Sequence, residues 1–130
     1  MQMGAPVAAS YRVTDLGVLP DATDSEAYGI NNRGLVVGSS GGNGFRRAFL
    51  YDGMAMNDLG ALLDRQYSKA LAINDGGQVI GYAWDASLSS RAFLYDGNTH
   101  DLGTLGGNQS LAHDINSSGQ VVGWASTISG

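Results

Sequence analysis

Apolar residues fall along this chain in short runs set off by glycine, asparagine and aspartate: Leu35-Val36-Val37, Ala48-Phe49-Leu50-Tyr51, Val79-Ile80, Ala92-Phe93-Leu94-Tyr95 and Val121-Val122. Runs of this length, rich in Val, Ile, Leu and Tyr and bounded by turn residues, predict strands rather than helices. They are continuous rather than alternating, so the predicted sheets are covered on both faces. None approaches the roughly 18 residues that a membrane-crossing helix needs.

The runs recur in register. Asp-Leu-Gly begins at Asp15, Asp58 and Asp101, 43 residues apart each time, and Arg-Ala-Phe-Leu-Tyr-Asp-Gly is written twice, from Arg47 and from Arg91. Between these marks a longer unit appears three times, with Ser25, Ser68 and Ser110, then Asn31, Asn74 and Asn116, then Gly34, Gly77 and Gly119, and then the Val-Val-Gly or Val-Ile-Gly that ends at Gly38, Gly81 and Gly123. Asn-x-x-Gly between apolar runs is the signature of a type I turn closed by a left-handed glycine, so each copy predicts a hairpin. Asp52-Gly53 and Asp96-Gly97 predict type I′ turns after a third strand, and Asp-Leu-Gly lies on a fourth. Gly38, Gly81 and Gly123 inside the second strand predict crowding between stacked sheets.

Four antiparallel strands in each 42–44-residue repeat predict an all-β, β-propeller-like fold, with a β-solenoid-like stack as the alternative. The pattern gives a fourth strand at Tyr11–Gly17, blades at about 25–60 and 68–103, and a partial blade at 110–126, all in a repeat domain spanning 11–130. Residues 1–10 predict a disordered leader or expression remnant. Three blades leave too little room for a ring of the usual four to eight. The expected partners are therefore further copies of the chain, as a homo-oligomer, or further repeats of a longer chain.

The combination of Arg-Ala-Phe-Leu-Tyr-Asp-Gly, Asp-Leu-Gly and Ser-x-Ala-x-x-Ile-Asn-x-x-Gly resembles the HAF family of probable extracellular repeats, named for His-Ala-Phe. Arg47 and Arg91 stand where that family has histidine. The resemblance implies an extracellular or secreted location and carries no activity with it.

Composition narrows the function classes. Twelve acidic against seven basic side chains give a net charge of −5, which argues against nucleic acid and membrane as partners. The absence of cysteine removes disulfides, thiolate metal sites and cysteine nucleophiles. Positions identical in every repeat are expected to hold the blade: Asp15, Asp58 and Asp101, the three asparagines, and the glycines after them. The repeated serines lack a repeated histidine or aspartate partner that would make them nucleophiles. Asp21, Asp24 and Glu26 lack the alternate spacing of a calcium loop and read as a solvated acidic turn. His100 and His113 occupy different repeat positions and read as surface residues.

Binding is expected at residues that differ between copies. Tyr82 and Trp124 share a position where the first repeat has Ser39, and Trp84 lies two residues beyond Tyr82. These aromatics suit either sugar stacking or packing between blades. Arg47 and Arg91 suit either an anionic ligand or a repeated aspartate. The sequence therefore predicts a noncatalytic binding module for a glycan or a protein, with no cofactor and no metal. A self-assembling repeat unit is the alternative, followed by an enzyme with a central-channel site.

Overall fold

The computed structural model describes residues 10–128. The leader expected over residues 1–10 lies outside them apart from Ser10. The fold is all-β. Ten strands follow in order: β1 (Asp24–Ile30), β2 (Val36–Gly42), β3 (Phe45–Tyr51), β4 (Met56–Asp58), β5 (Tyr67–Ile73), β6 (Val79–Trp84), β7 (Ser90–Tyr95), β8 (Thr99–Gly103), β9 (Gly106–Ile115) and β10 (Val121–Thr127). A 3-10 turn, Leu62–Asp64, precedes β5. The strands form one open mixed sheet whose main path runs β1-β2-β3-β5-β6-β7-β9-β10, with β4 beside β3 and β8 beside β7. Pairing within a repeat is antiparallel over four to seven residue pairs for the long strands, whereas repeats join through one parallel pair each, Arg46 with Tyr67 and Ser90 with Gln109.

The hairpin turns follow from the asparagines. The carbonyl of Asn31 accepts from Gly34 N–H at 3.1 Å, that of Asn74 from Gly77 at 3.1 Å, and that of Asn116 from Gly119 at 3.0 Å. All three glycines have φ near +80°, the left-handed conformation that a side chain resists. The Asp-Gly turns differ from the type I′ expectation. Gly53 and Gly97 have positive φ, but the aspartates before them do not. Asp52 Oδ1 instead accepts from the backbone N–H groups of Met54 and Ala55, and Asp96 Oδ1 accepts from that of Asn98, so a side chain supplies the turn that a second left-handed residue would have made.

The second-strand glycines have a nearer cause than stacked sheets. A Cβ on Gly38 would lie 1.9 Å from the Glu26 carbonyl oxygen, on Gly81 1.9 Å from that of Lys69, and on Gly123 2.0 Å from that of Leu111. In each case the obstructing carbonyl belongs to the neighbouring strand of the same repeat, beside a register shift at Ala27/Gly29, Ala70/Ala72 or Val122/Gly123. The bulge turns a backbone oxygen onto the second strand, and only glycine leaves room for it.

The main core lies between the first two repeats. Val37 and Ala48 of the first meet Ala70, Ile73, Val79, Ala83 and Phe93 of the second, and Leu62 closes the junction. Ile80 and Ala92 meet Ala112 at the next junction in the same way. Ser68 Oγ accepts from Ala48 N–H at 2.9 Å and Ser110 Oγ from Ala92 N–H at 2.8 Å, so the repeated serine ties the third strand of one repeat to the first strand of the next. The asparagine side chains make a parallel series: Asn31 Nδ2 donates to the Asn74 carbonyl and Asn74 Nδ2 to that of Asn116, both at 3.0 Å.

The strand expected at Tyr11–Gly17 does not form. In the complete repeats the fourth strand pairs with the third, Phe49 facing Asp58 and Phe93 facing Asp101, and among the described residues no third strand lies beside Tyr11–Gly17. Its local turn survives: Gly17 N–H donates to Asp15 Oδ1 at 2.9 Å, as Gly60 does to Asp58 and Gly103 to Asp101 at 2.7 Å.

One junction contact titrates. Asp75 accepts from the backbone N–H and then from the side-chain amide of Asn32, at 2.8 and 2.7 Å, and these bonds hold its carboxyl below the ordinary value of 3.8. A folded-state value below the unfolded one stabilises the fold above the unfolded value, and that contribution is lost as pH falls through the folded value. Urea midpoints measured from about pH 5 to pH 2 are therefore expected to fall more steeply for the wild type than for Asp75→Asn.

Candidate functional site

The side chains that recur between repeats are occupied in holding them. Arg47 Nη1 donates to Asp58 Oδ2 at 3.1 Å and Arg91 Nη1 to Asp101 Oδ2 at 3.2 Å, so each arginine on a third strand is held by the aspartate of the fourth. The same aspartates use Oδ1 for their own turns. Gly34, Gly77 and Gly119 close the hairpins, and the asparagines link the repeats. Asp24 pairs with Arg46, Glu26 accepts from the Tyr28 hydroxyl, and His100 Nε2 lies 3.1 Å from Asp96 Oδ1. No group of three or more His, Cys, Asp or Glu with the geometry of a metal site occurs among the described residues.

Among the described residues a different arrangement occurs only in the second repeat. Strand alternation sends Tyr82 and Trp84 of β6 to the same face, and Tyr67 lies directly across from Trp84 on β5. The Trp84 ring stacks on Tyr67 at 5.3 Å and 19° and on Tyr82 at 5.1 Å and 26°, which gives three partly exposed rings in a row. Such offset stacks contribute about 0.5–1.5 kcal/mol per pair beyond burial. Beside them the Asp85–Ser89 loop is pinned by an ion pair from Arg65 to Asp85 and by the Asp85 carboxylate accepting from Ser87. The Ser87 side chain is the largest influence holding the Asp85 carboxyl below its ordinary value. The first repeat has Asp24, Ser39 and Gly41 at the corresponding positions and builds no stack.

Tyr82 and Trp84 are thus brought together, whereas Trp124 stands apart on β10, 47% exposed beside the exposed Val122. Tyr67 escaped the sequence reading. Its signal was present in the hairpin register, since a residue directly across the Asn74 turn from Trp84 shares its face.

Fold and site together define an all-β tandem-repeat protein that carries an aromatic platform on one repeat. The chain belongs to the family described as "protein of unknown function (DUF3466)", whose model matches residues 62–129. This match replaces the HAF resemblance: the repeat motifs that suggested it lie in a chain whose family model is a different one. The extracellular placement that rested on it loses that support. Searches of curated proteins and of solved structures find no match.

Proposed function

We propose that the chain is a noncatalytic binding module made of propeller-type blades, with the Tyr67–Trp84–Tyr82 stack and the adjoining loop as its ligand face. The observation that carries this reading is the stack itself. It is an aromatic platform present in one repeat, at the loop end, where the repeat pattern does not require it. Ring faces of this kind bind the apolar faces of sugars or the side chains of a partner protein. The blade reading is supported by antiparallel pairing along each repeat and by strand pairing between repeats that is limited to one parallel residue pair at each junction.

A second reading, a self-assembling repeat unit, is favoured by apolar positions left open at both ends. Ile30 is 68% exposed although its counterpart Ile73 is buried, and Val122 is 63% exposed although Val37 and Ile80 are buried.

One experiment separates the two. Wild type and Trp84→Ala are compared on glycan and protein arrays while mass is followed against concentration. The binding module predicts a ligand lost on Trp84→Ala with mass unchanged. Mass rising with concentration and no array ligand would favour assembly and overturn the first reading.

A further inference from the structure

Arg46, Arg47, Arg65 and Arg91 are each paired with an aspartate. Lys69 is different. It lies directly opposite Tyr82 and two residues beyond Tyr67 on β5, so strand alternation puts it on the face that carries the ring row. Its ammonium lies 5.6 Å from the centroid of the Tyr28 ring and 3.4 Å from the Tyr28 hydroxyl. That hydroxyl donates in turn to Glu26, so the Glu26 carboxylate is taken by a phenol rather than by the lysine. Among the described residues no carboxylate comes within ion-pair distance of the Lys69 ammonium. The counterparts of Lys69 in the other repeats are Glu26 and Leu111. Cation and stacked rings thus meet in one repeat, at positions where the fold accepts other residues.

We propose that the ring row and Lys69 form one site for a sugar that carries a single anionic group, a carboxylate or a sulfate. The sugar lays its apolar C–H face on the exposed ring surface at Tyr82 and Trp84, and its anion accepts from the ammonium N–H groups that Tyr28 leaves open. This names the ligand class of the face proposed above and rests on that reading. Aromatic surface beside a few placed polar groups is the ordinary make-up of a small-ligand site, and a charge-assisted bond fixes the orientation. A protein partner would be anchored by a side chain in a desolvated pocket, whereas these rings lie partly exposed along a sheet face. A cationic ligand would meet the Lys69 charge, and rings inclined by only 19° and 26° do not close into a cage around it. The net charge of −5 opposes a densely charged polyanion, which leaves an anion carried singly on a sugar.

The test prints oligosaccharides bearing one uronic acid or one sulfate beside the same oligosaccharides after carboxyl reduction or desulfation, with a glutamate-rich peptide as a further probe. The whole chain is expected to bind members of the uronic-acid set or of the sulfated set, and the set that binds identifies the anion. Removing the anion from the sugar, or Lys69→Met in the protein, should each weaken binding about tenfold or more, the size of one lost hydrogen bond to a charged group. Lys69→Met should keep the circular dichroism of the wild type, and Trp84→Ala should abolish binding. The proposal is overturned if the neutral counterparts bind as well, if Lys69→Met binds as tightly as the wild type, if the peptide is held in place of any sugar, or if no sugar binds. The ligand-face reading fails separately, when Trp84→Ala keeps whatever ligand the wild type holds. A neutral sugar lost on Trp84→Ala but kept by Lys69→Met would therefore sink the anionic site and leave the ligand face standing.

Discussion

Phe93→Ala is expected to remove about 3–5 kcal/mol of stability, the cost of emptying a fully enclosed aromatic site whose walls relax only in part. Phe93 is wholly inaccessible and touches both repeats at the main junction, so its removal leaves a hole between them as well as within one. Domains of this size are stable by about 5–15 kcal/mol in all, and the variant should therefore unfold at far lower urea or be partly unfolded in buffer. Met54→Ala, at an exposed turn position, is the matched control and should change stability by no more than about 0.5 kcal/mol. Equal midpoints for Phe93→Ala and Met54→Ala would mean that the junction is not the core of the fold.

The same residue shows how much was legible in the sequence. The identical Arg-Ala-Phe-Leu-Tyr-Asp-Gly segments announced a third strand, and β3 and β7 lie on them. The all-β class, the hairpins at Asn-x-x-Gly and the strand order within a repeat were equally readable, because each rests on a local rule about turns or on strand-length apolar runs. What failed depended on neighbours that sequence spacing does not reveal. Tyr11–Gly17 has the composition of a strand but finds no third strand to pair with among the described residues, and a strand is a property of pairs. Gly38 looked like a residue crowded by another sheet, whereas a bulged carbonyl on its own partner strand fills the space. The arginines of β3 and β7 were read as either ligand clamps or aspartate partners, and the structure sets them on Asp58 and Asp101. Tyr82 and Trp84 were flagged from residue type and from a repeat position that differs between copies. Their stacking with Tyr67 needed the register across the Asn74 turn, which fixes who faces whom.

Asn74 separates a turn residue from a junction residue, and the repeats provide the internal comparison. All three asparagines accept a backbone N–H on Oδ1 within their own turns: Asn31 from Leu35, Asn74 from Gln78 and Asn116 from Gln120. Asn74 is buried, its Nδ2 donates both to the Asn116 carbonyl and to Gln78 Oε1, and its own carbonyl accepts from Asn31. Asn116 is exposed, and its Nδ2 stays within its turn on Gln120 Oε1. Asn74→Ala should therefore cost about 2–4 kcal/mol, since three bonds are lost and buried partners are left unsatisfied, while Asn116→Ala should cost only about 1 kcal/mol. Asn74→Asp adds a sharper sign. It sets a carboxylate against two oxygen acceptors, so its charged form is disfavoured in the folded state and its folded pKa is raised above the unfolded value. The penalty should thus be largest at neutral pH and shrink as pH falls below the folded pKa, where a protonated carboxyl can donate to one of the two oxygens. Urea midpoints of wild type, Asn74→Ala and Asn74→Asp at pH 7 and pH 4 measure this directly. If Asn74→Asp lost no more stability at pH 7 than at pH 4, or if Asn74→Ala and Asn116→Ala cost the same, the side-chain bonds between repeats would not be what holds one repeat to the next.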